Sequence, residues 1–182
     1  MYTTKEYILA SFSVLTILAY TSINKFHCST MNETIMKALN WRYAVQSFDS
    51  TKKLSPADLE TILESGRLAP SSIGLEPWKF VVVLNPELRA QIRAASWDQS
   101  KVTDASHLVV IARRTNTRPT LSDELIARAS VAQGVPASAL EGLKQMADGG
   151  IGMRDDATLD AWNASQTYIP LGMMLATAAL LG

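Results

Sequence analysis

The sequence predicts a layered domain of the α/β or α+β class, with few strands and many helices. Two apolar runs rich in β-branched residues, WKFVVVL at 78–84 and LVVIA at 108–112, are typical of buried strands. The segments around them carry helical periodicity. Hydrophobic residues make up 47% of the 182 residues and charged residues 19%, which supplies a core and excludes a disordered or fibrous chain.

The first helices are predicted from their apolar spacing and their end signals. Residues 32–40 place three apolar side chains at helical spacing, which predicts a short amphipathic helix. The string SPAD at 55–58 begins a second helix with a hydroxyl cap, a proline in the first turn and an acid three residues later, and Pro70 stops this helix. The string NPE at 85–87 begins another helix, which extends to about Ala95.

The region 118–153 predicts two polar helices. They are separated near 134–136, where the sequence is GVP, and Gly149-Gly150 is expected to break the second. Two sequons, at Asn32 and Asn163, fall in predicted helices and matter only if the chain is exported.

The last segment, 168–181, is apolar on nearly every face of a helical pattern that begins near Asp155. Such a helix is either buried all round or bound to a membrane. Because it is short and carries Pro170 and Gly172, we predict a core helix.

The first thirty residues differ from the rest. The apolar stretch YILASFSVLTILAY at 7–20 would form a helix of about 21 Å, short of a hydrocarbon core of about 30 Å, and extending it to Ile23 makes it borderline. Three interpretations remain open: Met31 is the true start, the leader is a signal-anchor, or it is a processed targeting segment. We place the folded domain at 31–182 and expect a cytoplasmic protein, with membrane anchorage through 7–23 as the alternative.

Charge and cysteine content exclude several classes of function. The 17 Lys and Arg residues balance 17 Asp and Glu residues, which argues against nucleic-acid binding because phosphate neutralisation needs excess cation. The single cysteine, Cys28, cannot form an internal disulfide, and no Cys/His cluster has zinc spacing. Since Cys28 precedes the domain, no nucleophile arrangement can be assembled, and we expect no metal site.

Spacing alone points weakly to three places. The loop PSSIG at 70–74 offers hydroxyls, backbone N–H groups and a glycine to an anion or a polar ligand edge, or is an ordinary turn. Arg42 has the chemistry to bind phosphate, or is a surface residue. His107 enters a strand, where a histidine is usually structural. These patterns leave the function open.

Three longer strings resemble the signatures of the nitroreductase family. The first is ALNWRYA at 38–44, followed by FD at 48–49 and KKLS at 52–55. The second is PSSIGLEPWKF at 70–80, and the third is VTDASH at 102–107 before a hydrophobic strand. They occur in the family's order and spacing, and the resemblance covers about 32–182. It is strongest to the oxygen-insensitive NAD(P)H nitroreductase and dihydropteridine reductase branch.

This resemblance implies an α+β sandwich, with a central, mainly antiparallel sheet flanked by helices. It also implies a homodimer with one FMN at each of two interface sites. NAD(P)H would reduce the flavin, and a nitroaromatic or quinone would then take the electrons. Because the flavin carries the chemistry, no catalytic side chain is expected.

The resemblance also assigns residues of the first string. Arg42 matches the arginine that reaches the FMN phosphate and ribityl region, and Tyr43 and Ala44 occupy the next two flavin-contact positions. Gln46 stands where the family usually has Lys or Arg beside the flavin pyrimidine. A neutral amide stabilises negative charge on the reduced ring less than a cation does, which implies a lower flavin reduction potential.

The second string and the residues just before the third supply the remaining site residues. Ser71, Ser72 and Ile73 match a loop that the partner subunit places over the flavin, with Ile73 toward the nucleotide or substrate. Asp98 replaces a common Asn at the polar edge of the ring, and an ionised acid cannot donate a hydrogen bond there. Glu76 likewise replaces a common Gln. Lys101 is expected near the nicotinamide nucleotide.

Family members continue past the apolar helix into a strand and a Pro-x-Glu-Gly loop, whereas this sequence ends at Gly182. We therefore expect a domain that lacks its C-terminal portion, with an apolar patch left on 168–181. Two hypotheses follow: an FMN-dependent oxidoreductase, or a non-catalytic, dimerising relative that no longer holds FMN.

Overall fold

The computed structural model describes residues 28–118 and 120–182, so the apolar stretch 7–23 lies outside the described residues. The chain divides into two compact units, Met1–Lys37 and Ala38–Gly182. Helix α1 (Cys28–Trp41) contains the helix predicted at 32–40, which is confirmed. Within the first unit, the Thr34 hydroxyl donates to the carbonyl of Thr30 at 2.8 Å.

Helix α2 (Pro56–Arg67) begins as the sequence predicts. The Ser55 Oγ accepts a hydrogen bond from the backbone N–H of Asp58 at 3.1 Å, and Pro56 occupies the first turn, where no intrahelical bond is lost. The helix ends at Arg67, three residues before the predicted stop at Pro70.

The two predicted strands are confirmed, and they pair with each other. Strand β1 (Trp78–Val83) lies antiparallel to β2 (Leu108–Arg113), with Trp78 opposite Arg113. Between them lie α3 (Pro86–Ala95) and the single turn α4 (Lys101–Asp104). Helix α3 is capped as predicted, because Asn85 Oδ1 accepts the N–H of Leu88 at 2.8 Å.

A helical lobe follows the sheet. Helix α5 (Leu121–Gln133) ends at Gly134, whose φ of 66° gives the left-handed cap that glycine adopts without strain. A short 3-10 helix (Ala137–Leu140) leads into α6 (Glu141–Gly152). The predicted break at Gly149-Gly150 is wrong, because glycine weakens a helix without removing its backbone hydrogen bonds.

The main apolar core lies in this lobe and the loop before β1. Helix α7 (Asp156–Gln166) closes it from one side. Asn163 of α7 is fully buried and donates to the Thr117 hydroxyl at 3.0 Å, so its sequon is inaccessible in the folded chain. The buried apolar side chains of the core are Leu75, Leu121, Leu125, Ala147, Ile151 and Leu159.

Helix α8 (Tyr168–Leu181) packs against α2. A Cβ added at Gly66 would lie 3.0 Å from the Met174 sulfur, so the glycine permits this close approach. Pro170 falls in the first turn and does not interrupt the helix. Only one face is buried, which corrects the expectation of a helix buried all round and agrees with the apolar patch expected on 168–181. The exposed large hydrophobic residues are Tyr168, Ile169, Leu171, Leu175, Leu180 and Leu181. By length and composition alone, the helical stretch Asp156–Leu181 could cross a membrane, but soluble core helices pass the same test.

Candidate functional site

The loop that carries the second string contains a strained backbone. Ser72–Gly74 forms a tight, non-helical turn, in which Ile73 has a φ of 63° and Gly74 a φ of 80°. Glycine tolerates this region, whereas a β-branched residue rarely enters it. Strain of this kind persists only where the surroundings enforce it, and it is common at ligand sites.

Polar contacts from three parts of the domain hold this loop. The Ser71 Oγ accepts the N–H of Glu76 at 2.8 Å, and the N–H of Ser72 donates to Gln166 Oε1 at 2.8 Å. The Nε of Arg128, on α5, lies 3.5 Å from Glu76 Oε2. The Arg128 guanidinium also donates to the carbonyl of Gly74 at 3.2 Å. Neither serine hydroxyl donates its hydrogen to any described residue, so both remain available to a ligand.

The side chain of Ile73 belongs to the core of the helical lobe. It packs against the buried apolar cluster, and its Cδ1 lies 2.7 Å from where a Cβ on Gly150 would stand. Glycine in α6 therefore makes room for it. The Ile73 side chain is partly buried in this way, and its contact with a nucleotide or substrate stays a prediction.

Arg42 follows directly after α1, with its N–H bonded to the carbonyl of Ala38 at 3.0 Å. Its side chain is exposed, and within residues 28–118 and 120–182 the guanidinium has no hydrogen-bond or ion-pair partner. Every other arginine of the chain has at least one acceptor; these are Arg67, Arg89, Arg93, Arg113, Arg114, Arg118, Arg128 and Arg154. An exposed and uncommitted guanidinium fits the predicted role of phosphate ligand.

The residues after Arg42 make few tertiary contacts. Tyr43 is 68% exposed, and Gln46 turns its amide toward the backbone, donating to the carbonyl of Ala44 at 2.9 Å. The Gln46 amide is thus engaged locally. Nearby, hydrogen bonds from Thr51 lower the pKa of Asp49.

Two arginines of α3 fix the segment 98–106, which overlaps the third string. Arg93 donates through Nε to Asp98 Oδ1 at 2.8 Å, so this carboxylate is paired and can only accept hydrogen bonds from a ligand. Arg89 is buried, and its guanidinium donates to the carbonyls of Val102, Ala105 and Ser106 at 2.8, 2.5 and 3.3 Å. Lys101, the first residue of α4, is partly exposed.

A hydrogen bond ties this segment to the end of the first string. The N–H of Leu54 donates to the Ser106 Oγ at 2.8 Å, and that oxygen also lies 3.0 Å from His107 Nδ1. His107 therefore has a structural partner. Among the described residues, no hydrogen bond or ion pair joins the 42–46 stretch, the 71–73 loop and the 98–101 segment directly.

An open groove of about 1070 Å³ runs beside β2, between α2 and α8. None of the predicted site residues lines it, although Phe48, Asp49 and Lys52 from the first string do. In the described part of the chain β2 pairs only with β1. Val109, Ile111 and Arg113 line the groove, and because alternate residues of a strand share one face, that face of β2 borders it. Apolar side chains that line it include Leu59, Ile62, Val109, Ile111, Leu171 and Met174.

Sequence reasoning missed the side chains that support the predicted segments: Arg89, Arg93, Arg128 and Gln166. Arg128 and Gln166 act on backbone groups 54 and 94 residues away, and Arg89 on carbonyls up to 17 residues away. No local pattern marks such contacts.

Comparison with known proteins identifies this architecture. The sequence profile of the nitroreductase family matches residues 39–182. The chain belongs to the nitroreductase family. One relative is a Staphylococcus aureus protein provisionally named an NAD(P)H nitroreductase, 47% identical over 159 residues, which cover 85% of this chain and 71% of that protein. A Staphylococcus saprophyticus protein with the same provisional name is 42% identical over 158 residues, covering 83% and 71%.

Solved nitroreductase structures share the fold. A Bacillus subtilis nitroreductase superposes with a TM-score of 0.72 at 20% identity, covering 84% of this chain and 72% of that one. An Exiguobacterium sibiricum nitroreductase, solved in complex with FMN, gives a TM-score of 0.68 at 21% identity and covers 80% and 70%. The predicted α+β fold of the nitroreductase type is confirmed.

Proposed function

We propose that this chain is an FMN-dependent oxidoreductase that transfers electrons from NAD(P)H to a nitroaromatic, quinone or similar acceptor. The observation that carries the proposal is the uncommitted guanidinium of Arg42, in a chain where the other arginines all have acceptors. The provisional names of the staphylococcal relatives and the FMN bound to the Exiguobacterium neighbour support it.

The donors of the chain fit this cofactor. Arg42 would bind the phosphate bidentately, because its planar fork matches phosphate oxygens. The hydroxyls of Ser71 and Ser72 would donate to the flavin, from a loop that Gln166 and Arg128 already hold in place. When bound, FMN accepts a hydride from NAD(P)H and passes two electrons to the acceptor.

We also propose a homodimer. As the family resemblance implies, a second copy would place its 71–73 loop over the flavin that the 42–46 stretch binds. Lys101 remains our candidate for the nicotinamide nucleotide. We propose a cytoplasmic location, which agrees with this chemistry. The alternative, a membrane anchor formed by 7–23, involves residues that lie outside the described part of the chain.

A second candidate function is a dimerising, non-catalytic relative without a stable cofactor. Two contacts favour it: the Asp98 carboxylate is taken by Arg93, and the Gln46 amide is turned to its own backbone. Both positions therefore offer the flavin ring fewer hydrogen-bond donors and less positive charge than the residues usual in the family.

Titration with FMN separates the two candidates. We expect the purified chain to quench FMN fluorescence saturably and to oxidise NADPH with menadione. Arg42→Ala should weaken FMN affinity about ten- to a hundredfold, because a charge-assisted hydrogen bond contributes about 1.5–3 kcal/mol and about 1.4 kcal/mol is one decade.

Arg67→Ala is the matched control. Its side chain is 65% exposed and pairs with Glu64 inside α2, so its removal should leave FMN affinity within twofold. A wild-type chain that takes up no FMN would favour the non-catalytic candidate. Equal FMN affinity in wild type and Arg42→Ala would show that Arg42 does not bind the cofactor.

A further inference from the structure

A side chain from a distant helix anchors the backbone of the 71–73 loop. Gln166 is the last residue of α7, and its Oε1 accepts the N–H of Ser72 at 2.8 Å. Within the described part of the chain, this is the only hydrogen bond that links the 71–73 loop to a helix or strand. Arg128 acts farther along the chain, on the carbonyl of Gly74.

This bond holds the chain directly before its strained residue. Ile73 has a φ of 63°, and its side chain packs against the core of the helical lobe, which fixes the loop on the other side of Ser72. The Ser72 N–H belongs to the peptide group that joins Ser71 to Ser72. Because a peptide group is planar, a bond to that N–H fixes the plane from which both serine side chains leave the backbone.

The helix that carries Gln166 is itself firmly held. Asn163 lies three residues earlier, on the same side of α7, and it is fully buried. Its amide nitrogen donates to the Thr117 hydroxyl at 3.0 Å and to the carbonyl of Arg114 at 3.3 Å. The Gln166 oxygen is therefore presented to the loop from a fixed element, which is what accurate placement of a ligand-binding group requires.

We propose that Gln166 is a positioning residue for the flavin site, whose side-chain oxygen sets the direction of the Ser71 and Ser72 hydroxyls toward the cofactor. This inference rests on the proposed function. The group that Gln166 holds is an N–H, so the position needs a hydrogen-bond acceptor. Glutamate supplies one at the same length, whereas leucine has none. Because Ser72 is exposed, water can replace the lost acceptor, and the fold should lose little stability.

FMN titration of full-length variants, at high salt to screen added charge, tests this role. Gln166→Leu should weaken FMN affinity about three- to tenfold, the range that one neutral hydrogen bond covers. Its thermal midpoint should fall by no more than about 4 °C. Gln166→Glu should keep the affinity within about twofold of wild type, because a carboxylate still accepts the Ser72 N–H. Gln145→Leu is the matched control, since Gln145 is exposed on α6 and donates to Glu141 at 3.4 Å.

Amide hydrogen exchange of the free protein gives a readout that does not depend on FMN. The Ser72 N–H is exposed yet hydrogen-bonded, so its exchange rate reports on the Gln166 acceptor. The rate should rise about three- to tenfold in Gln166→Leu and stay close to wild type in Gln166→Glu and in Gln145→Leu.

Three results would overturn the inference. Ser72 exchange could be unchanged in Gln166→Leu, or it could rise there while FMN affinity stays at the wild-type value. The leucine and glutamate variants could also lose FMN affinity equally, which would make Gln166 a direct ligand through its Nε2. If wild type binds no FMN, the proposed function fails by itself. Ser72 exchange in the variants then still decides whether Gln166 orients the loop.

Discussion

Arg89 provides the sharpest test of how the third string is held in place. The side chain is 7% exposed, and its three donors bind the carbonyls of Val102, Ala105 and Ser106. No carboxylate among the described residues pairs with it. The buried cation therefore depends on the carbonyls that end α4 and precede β2, and they depend on it.

Replacing Arg89 by methionine removes three donors but keeps much of the apolar stem. Each charge-assisted bond contributes about 1.5–3 kcal/mol, but the carbonyls near the surface regain water when the side chain is gone. Loss of three such bonds, partly offset by rehydration of the carbonyls, should therefore cost about 3–5 kcal/mol of unfolding free energy. The unfolding free energy of Arg89→Lys should fall between those of wild type and Arg89→Met, because one ammonium cannot reach three carbonyls as the planar guanidinium does.

Urea unfolding of the full chain, followed by far-UV circular dichroism, measures this cost. Arg67→Met is the control, since its pair with Glu64 is exposed to solvent and its loss should leave the urea midpoint almost unchanged. The midpoint should shift with little change in the slope m. A loss below about 1 kcal/mol in Arg89→Met would show that the three bonds do not anchor the segment.

Two further predictions concern stability. The Arg114 guanidinium lowers the pKa of Glu124 to about 2, so the pair should stabilise the fold above pH 4.5 and lose this effect as the pH falls toward 2. Glu124→Gln should thus lower the unfolding free energy by about 1 kcal/mol at pH 7, because the pair is partly exposed to solvent. The difference in urea midpoint between this variant and wild type should vanish near pH 2. In α6, Gly149→Ala should stabilise by about 0.5–1 kcal/mol because its Cβ would meet nothing within 4 Å, whereas Gly150→Ala should gain less or destabilise because its Cβ meets Ile73. Equal thermal midpoints for the two glycine variants would contradict the close contact.

Local signals made much of the fold predictable. The Ser55 and Asn85 caps and the β-branched runs of both strands depend on residues close in sequence, and each appears where it was predicted. The break expected at Gly149-Gly150 failed because the packing of α6 on the lobe outweighs the low helix propensity of glycine. The buried face of α8 could not be selected from a sequence that is apolar all round.

The candidate site divides in the same way. The strings at 38–44, 70–80 and 102–107 pointed to the family, and the roles assigned to Arg42, Ser71 and Asp98 remain predictions. Their partners were not predictable: Arg93 pairs with Asp98, and Gln166 holds the N–H of Ser72 across 94 residues. Such contacts depend on which helices pack together.

The amino-acid sequence by itself determined the family, the order of helices and strands and their end signals, because those follow from short-range propensity and contiguous strings. The tertiary structure alone decided which arginine stays uncommitted, where the side chain of Ile73 lies and which residue holds the N–H of Ser72. Ion pairing, close packing and long-range hydrogen bonds depend on distances between segments far apart in the chain, and only the folded backbone sets those distances.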